Sequence, residues 1–207
     1  MWGGRVNRTA YWWRGRYTTS MVLEAVARPV IAPCLYVDPA APLTTEEWWT
    51  LPDDGRQYEL LDGVLFVVPP PTLLHQKLTL RLASRLDQLT LQHGGFAGIA
   101  PLGTALSASI GFEPDIVYVV PGREAILSDR GVEGVPDLVV EVLSPSTRAF
   151  DLAHKLPIYL AVGVSEVWIV DPVARTVTVH RAAGAASVAF GERIPSSVVN
   201  IGDGGLT

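Results

Sequence analysis

The chain has very little cysteine and no long apolar segment. Its one cysteine, Cys34, excludes an internal disulfide and any zinc site built from several cysteines, and it fits a protein of the reducing cytoplasm. No unbroken apolar run reaches the ~18 residues that a transmembrane helix needs, so we expect no membrane partner. Hydrophobic residues make up 48% of the 207 positions, which is enough for one domain with a sizeable core.

Positive charge is also scarce. The chain has 16 basic and 21 acidic residues, and its only lysines are Lys77 and Lys155. Proteins that bind duplex DNA tightly are usually basic on at least one face. The net charge of −5 therefore counts against tight, nonspecific DNA binding, but it does not exclude a site that gathers carboxylates around a metal.

The N-terminal segment differs from the rest of the chain. Its first 20 residues carry four arginines and no acid, with tryptophans and tyrosines between them. Such a segment fits contact with nucleic acid through charge and stacking. It also fits an extension that precedes a true start at Met21, which we favour. Residues 21–43 are rich in proline and alanine and indicate a linker.

Local patterns predict helices that alternate with strands. Thr44 and Glu47 have the capping-box spacing and predict a short helix, while Asp62-Gly63 predicts the turn of a hairpin over 58–61 and 64–68. Leucines at three- and four-residue spacing predict a helix from Leu74 to about residue 92. Further strands are predicted at 96–100, 104–107, 114–120, 137–143, 167–170 and 176–181, the last as an edge strand, and a helix at 151–161 with Pro157 in a first turn or at a kink. This order predicts an α/β fold with a mixed central sheet flanked by helices.

Two of the predicted strands carry acids among apolar residues. Asp115 begins one of them, and Asp137 and Glu141 lie in another. A buried carboxylate is costly unless a metal ion, a cation or hydrogen bonds compensate it. Lys155 follows on the next predicted element. Two acid-bearing strands and a nearby lysine are what a metal-dependent phosphodiesterase requires.

These residues also have purely structural interpretations. Asp115 follows a proline and can cap a strand, and Lys155 can be a solvated helix residue that pairs with Asp151 at i, i+4. Glu59 alternates with apolar neighbours and can face solvent. We favour the site role for all three, and the case for Glu141 is stronger still because acids are rarely buried without a partner.

Two further residues stay open between site and structure. Asp137 lies on the same strand face as Glu141 by the two-residue period, although a cap at the strand start is the interpretation we favour. His75 stands just before the long predicted helix, where it can contact phosphate or simply begin the helix. We carry both as candidates for substrate contact or for support of the site. The carbonyl of Val142, beside Glu141, is a candidate metal ligand.

The acids and the lysine stand in recognisable motifs: YELLDG around Glu59, EPDIVYV around Asp115, PDLVVEVLSPST around Glu141 and DLAHKLPIYLAVGVSEVWIVDP around Lys155. Together they resemble the Uma-type restriction-endonuclease-like family, a branch of the PD-(D/E)XK nuclease superfamily, over about residues 43–181. The resemblance implies a restriction-endonuclease-like core over 43–183. It leaves an N-terminal extension over 1–42, which we expect to be partly disordered, and a C-terminal tail over 184–207.

The resemblance also implies roles for the residues. The superfamily's acids bind Mg²⁺, with Mn²⁺ as a substitute, and they map here to Asp115 and Glu141. The superfamily's usual lysine position, two residues after the second acid, holds Leu143. The resemblance to this branch implies that the lysine comes from the next helix instead, where it maps to Lys155. Glu59 matches an early glutamate of the same site.

The implied function is a Mg²⁺-dependent endonuclease that acts on DNA. A non-catalytic nucleic-acid- or protein-binding module that retains the fold stays open as an alternative, as does a purely structural network of acids. Members of the superfamily often form homodimers, and we expect such a contact at strand 176–181 or at Trp48-Trp49. A cleft for DNA should also have a positive rim, for which the candidates are Arg81, Arg85, Arg123, Arg130 and Arg148.

Overall fold

The computed structural model describes residues 34–35, 42–52 and 54–206. The arginine-rich start of the chain and Met21 lie outside these residues. No helix in the described part is long and apolar enough to cross a membrane. The helices are α1 (Thr45–Trp48), α2 (Leu73–His93), α3 (Arg148–Phe150) and α4 (Leu156–Val162), with a 3₁₀ turn at Glu124–Ile126 and a π-helical segment at Asp151–Lys155 between α3 and α4.

The strands form two mixed sheets with helices packed against them, which confirms the predicted α/β class. The strands are β1 (Cys34–Leu35), β2 (Gln57–Leu61), β3 (Val64–Val68), β4 (Phe96–Ile99), β5 (Thr104–Ser107), β6 (Ile110–Phe112), β7 (Ile116–Val119), β8 (Leu127–Ser128), β9 (Gly131–Glu133), β10 (Leu138–Val142), β11 (Glu166–Asp171), β12 (Thr176–Arg181) and β13 (Gly184–Ala189). The first sheet has the order β1-β3-β2-β6-β5-β9-β8 and the second β13-β12-β11-β10-β7-β4. We predicted one central sheet, whereas the chain builds two and crosses between them several times from β4 to β10.

Helix α1 and the β2–β3 hairpin form as their local sequence predicts. The Thr44 hydroxyl accepts from the Glu47 N–H at 3.3 Å, and the Glu47 carboxylate accepts from the Thr44 N–H at 3.0 Å. Asp62 and Gly63 take positive φ angles of 50° and 79° in the hairpin turn. The Trp48 indole N–H donates to the Tyr58 carbonyl at 2.8 Å and so fastens α1 to β2.

Helix α2 packs one leucine face on the second sheet. Leu78, Leu82 and Leu86 are buried as predicted and share a core with residues of β7, β10 and β11. Leu74, however, is 52% exposed, and the first buried side chain of the helix is His75. The buried face is therefore polar at the start of α2, because this end of the helix borders the candidate site.

The interpretation of strand 176–181 as an edge strand was wrong. β12 pairs with β11 on one side and with β13 on the other. Its alternation reflects one buried face, and the small residues of β13 provide a backbone partner without a pattern of their own. The segment after β13 also packs on the second sheet, with Ile194, Val199 and Leu206 buried. This part of the C-terminal tail is thus held against the core.

The surfaces that we expected at a dimer contact are used inside the molecule. β12 has a partner on each side. Trp48 is buried, and its ring centroid lies 4.8 Å from that of Trp49. The Arg130 guanidinium covers the Trp49 ring at 5.7 Å. A homodimer stays a prediction, and β12 is not an open edge for its contact.

Candidate active site

Four elements bring the predicted residues to one cavity where the two sheets meet. Glu59 comes from β2 of the first sheet and Glu141 from β10 of the second. Asp115 lies in the link between β6 and β7, where the chain passes from one sheet to the other. Lys155 ends the π-helical segment. All four line the cavity, as does His75 from the first turn of α2.

Lys155 is buried between carboxylates and is not a solvated helix residue. Its Nζ lies 2.8 Å from Glu59 Oε1 and 2.7 Å from Glu141 Oε1. Asp151 Oδ1 is further away, at 3.8 Å. Burial alone lowers the pKa of Lys155, but the negative charges of Glu141 and Glu59 oppose it and hold this pKa well above its usual value. The buried side chain is therefore held in its ammonium form by these carboxylates.

Glu141 is held through one of its two oxygens. Oε1 accepts a hydrogen bond from the Tyr159 hydroxyl at 2.7 Å and also contacts Lys155 Nζ. Burial raises the pKa of Glu141 well above its usual value, although Lys155 opposes the shift. Oε2 has no protein partner among the described residues. The carboxylate is thus fixed in place with one oxygen available to another ligand.

Asp115 is fixed in a similar way. Its Oδ2 accepts from the backbone N–H of Val142 at 2.7 Å and lies 3.0 Å from His75 Nε2. Oδ1 has no partner in the described part of the chain. Val142 therefore meets the site through its backbone, since its side chain packs in the core. The role of its carbonyl as a metal ligand stays a prediction. His75 Nδ1 is buried without a hydrogen-bond partner.

Asp137 lies outside this group. Its Oδ2 accepts from the Val120 N–H at 2.9 Å, and its other oxygen pairs with Arg123. Arg123 also donates to the Val135 carbonyl at 3.1 Å. Asp137 does not line the cavity. Asp137 lies four positions before Glu141, which is about 13 Å of extended backbone, so the shared strand face does not bring the two carboxylates together.

Three further residues belong to the site, although the sequence did not identify them as site residues. Tyr159 holds Glu141, while Glu113 and Asp151 line the cavity. Burial and the charge of Glu59 raise the pKa of Glu113 to about 7 against the effect of Lys155, and Glu113 Oε2 is buried without a partner. Burial raises the pKa of Asp151 to about 6, against the effects of Lys155 and of a hydrogen bond with Thr147.

The spacing of these residues along the sequence indicates that their side chains share a face with Asp115 or Lys155. Glu113 lies two residues before Asp115, a spacing that in extended backbone puts side chains on one face. Asp151 and Tyr159 lie four residues either side of Lys155, a spacing that puts side chains on one face of a helix.

Comparisons with known proteins found a family and a similar fold. The family model described as Uma2, putative restriction endonuclease, matches residues 45–199. The chain belongs to the Uma2 family. The crystal structure of a putative nuclease belonging to DUF820 from Anabaena variabilis ATCC 29413 shares the fold of this Uma2-family chain, with a TM-score of 0.65 and 20% identity over 78% of this chain and 96% of that chain. No curated protein matches the chain.

The charge of the Uma2-family site fits a divalent cation. Five carboxyl groups line the cavity, from Glu59, Glu113, Asp115, Glu141 and Asp151, against the single ammonium of Lys155. Among the described residues, no three His, Cys, Asp or Glu side chains form a metal cage by themselves. Mg²⁺ does not need one, because it is often held by one or two carboxylates together with waters and substrate oxygens. Asp115 and Glu141 each have one oxygen without a partner among the described residues, which is available to such a ligand.

Most of the predicted positive rim is neutralised within the protein. Arg123 pairs with Asp137, Arg148 contacts Asp171 at 2.6 Å, and Arg130 contacts Glu46 at 2.7 Å and Glu133 at 2.9 Å. Arg81 and Arg85 make no ion pair with any described residue. They follow Lys77 at four-residue spacing on α2, away from the helix face that carries His75 and Thr79.

Proposed function

We propose that this Uma2-family protein is a Mg²⁺-dependent endonuclease of the cytoplasm that hydrolyses phosphodiester bonds in DNA, with Mn²⁺ as a substitute metal. One observation carries the proposal. The junction of the two sheets gathers five carboxyl groups around a cavity and sets the Lys155 ammonium between Glu59 and Glu141. Carboxylates are the ligands that Mg²⁺ prefers, and a lysine can stabilise the charge of a phosphate.

Asp115 and Glu141 would hold the metal. Each uses one oxygen for protein contacts, to the Val142 N–H and His75 in one case and to Tyr159 and Lys155 in the other. These contacts fix both carboxylates before a ligand arrives, so little ordering remains to be done on binding. When bound, Mg²⁺ lowers the pKa of a water molecule and withdraws charge from the phosphoryl oxygens.

Lys155 would stabilise the charge that develops on the phosphate. The water oxygen forms a bond to phosphorus as the ester P–O bond breaks. The water loses one proton and the leaving oxygen takes one up, so the products are a phosphomonoester and an alcohol. Negative charge increases on the phosphoryl oxygens in the transition state, where a preorganised ammonium is most effective. Glu59 positions Lys155 through its 2.8 Å contact. The high pKa of Lys155 keeps the charge in place at neutral pH.

Cleavage of supercoiled plasmid with Mg²⁺ or Mn²⁺ tests this function. We expect Asp115→Asn and Glu141→Gln to reduce the rate on the order of 100-fold or more, the size of effect seen when one charge-stabilising group is removed. Asp129→Asn changes an exposed aspartate outside the cavity and should cut at the wild-type rate. If wild type does not cut, the binding-module alternative replaces the nuclease; if all variants cut equally, the site is wrong.

A further inference from the structure

One wall of the cavity is formed by aromatic side chains rather than by acids. Phe66 of β3 and Phe150 of α3 both line it and are half-buried. Their ring centroids lie 4.8 Å apart, and Phe112 packs against Phe150 edge-on at 6.5 Å. Phe150 is therefore packed between Phe66 and Phe112 in one aromatic cluster.

This wall directly adjoins the acids. Phe66 is the register partner of Glu59 across the β2–β3 hairpin, and Phe150 immediately precedes Asp151. Register partners in an antiparallel pair have Cβ atoms only about 5 Å apart. The aromatic rings and the acids thus lie side by side in the same cavity.

Two amide side chains complete this side of the cavity. Gln57 precedes Glu59 by two residues on the same face of β2, and Gln76 follows His75 on α2. Neither side chain has a hydrogen-bond partner among the described residues. An amide offers a donor and an acceptor at once, which is what the edge of a nucleobase pairs with.

The charge of the cavity does not suit duplex DNA. No arginine lines it, and its single lysine is engaged by Glu59 and Glu141. Duplex binding depends on several cations that contact the phosphate backbone. Stacking of a base on an aromatic ring does not need them, but it does need a base that is free of its own stack.

We propose that the cavity binds an unpaired nucleotide, with its base against Phe66 and Phe150 and its phosphate at the acids. The substrate is then single-stranded or locally unpaired nucleic acid rather than an intact duplex. The proposal rests on the proposed nuclease function, because it identifies the substrate class of the same site.

The test measures binding and cleavage on matched oligonucleotides. Fluorescence anisotropy in Ca²⁺ compares one labelled sequence as single-stranded DNA, as single-stranded RNA and as a blunt duplex, and gel assays with Mg²⁺ follow their cleavage. We expect at least one single strand to bind about 10-fold more tightly than the duplex, since base–aromatic stacking contributes about 1–3 kcal/mol per base. The DNA and RNA arms show which polynucleotide the site takes.

Phe150→Leu is the deciding variant, since it keeps an apolar side chain but removes the flat ring. It should weaken single-strand binding about 10-fold and leave duplex binding unchanged. Phe190→Leu is its matched control, a half-buried phenylalanine remote from the cavity that stacks with Arg175. Circular dichroism checks that both variants fold. Equal binding of duplex and single strand, or a Phe150→Leu variant that binds single strands like wild type, overturns the inference.

These outcomes separate the inference from the nuclease proposal. Asp115-dependent cutting of a duplex without any effect of Phe150→Leu overturns the inference and supports the nuclease. Single-strand binding that depends on Phe150 without metal-dependent cutting supports the nucleotide pocket and overturns the nuclease.

Discussion

At the scale of single residues, the site depends on one buried cation. Lys155 is only 4% exposed in its side chain and is shared by Glu59 and Glu141, which are equally buried. A buried ion pair gains little over an apolar pair, because desolvation offsets the attraction. Loss of one partner is different, since it leaves the remaining charges buried and uncompensated. The lysine therefore contributes to folding as well as to the proposed chemistry.

Lys155→Met should lower the free energy of unfolding by about 3–5 kcal/mol, the cost of removing one partner of a buried pair. Urea denaturation near neutral pH measures it. Lys77→Met is the matched control, because Lys77 is exposed on α2 and makes no ion pair with a described residue, so its change should stay within about 0.5 kcal/mol. Equal midpoints for the two variants would show that the buried pair does not stabilise the fold.

At the scale of elements, the π-helical segment determines which side chains of its helix face the site. The Leu156 N–H bonds to the Asp151 carbonyl, five residues back. Pro157 lies in the first turn of α4, as one of our two interpretations predicted. It has no N–H, and its ring would clash with the carbonyl four residues back in a regular α-helix. The wider turn keeps Asp151, Lys155 and Tyr159 all buried on one side.

Deletion of Ala153 should remove the wider turn and rotate Asp151 and Phe150 relative to Lys155 by about 100°. We expect far-UV circular dichroism to stay near wild type and plasmid cleavage to fall on the order of 100-fold, because small displacements of positioned groups are costly to catalysis. Ala153→Ser, at the same exposed position, is the control and should cut normally. A deletion variant with wild-type activity would contradict this role of the segment.

At the scale of the whole molecule, one buried acid ties the C-terminal segment to the second sheet. Glu166 of β11 accepts from the Ser196 hydroxyl at 2.6 Å and from the Ser197 N–H at 2.7 Å, and it pairs with Arg181 at 2.8 Å. Burial raises the pKa of Glu166, but hydrogen bonds from both serines and from Trp168 outweigh it and lower this pKa to about 2. The segment that follows β13 is held by this carboxylate.

The depressed pKa predicts how stability depends on pH. The folded state favours the carboxylate form of Glu166, so its contribution is complete above the unfolded pKa of about 4.3 and is lost as the pH falls toward about 2. Glu166→Gln should cost about 2 kcal/mol near neutral pH, typical of hydrogen bonds to a charged group, and should flatten the loss of stability on acidification.

Urea denaturation near neutral pH and at pH ~3 measures both effects. Asp129→Asn, at an exposed aspartate, should retain the wild-type slope with pH. A Glu166→Gln variant with the same acid sensitivity as wild type would contradict the assignment.

Some features of this protein follow from residue spacing alone. The Thr44–Glu47 capping box, the Asp62-Gly63 turn and the leucine face of α2 depend on neighbours within four residues, so the sequence by itself determined them. The acids in apolar strands likewise indicated burial and compensation, because the cost of a buried charge holds in any fold.

Other features were decided only by the tertiary structure. The sequence does not show that β12 has a second partner, because β13 consists of small residues without a burial pattern. Nor does it show that Arg130 pairs with Glu46, or that Phe66 meets Phe150, each 84 residues apart along the chain. Local spacing is set by the geometry of a helix or strand, whereas contacts between distant residues depend on which elements the topology places side by side.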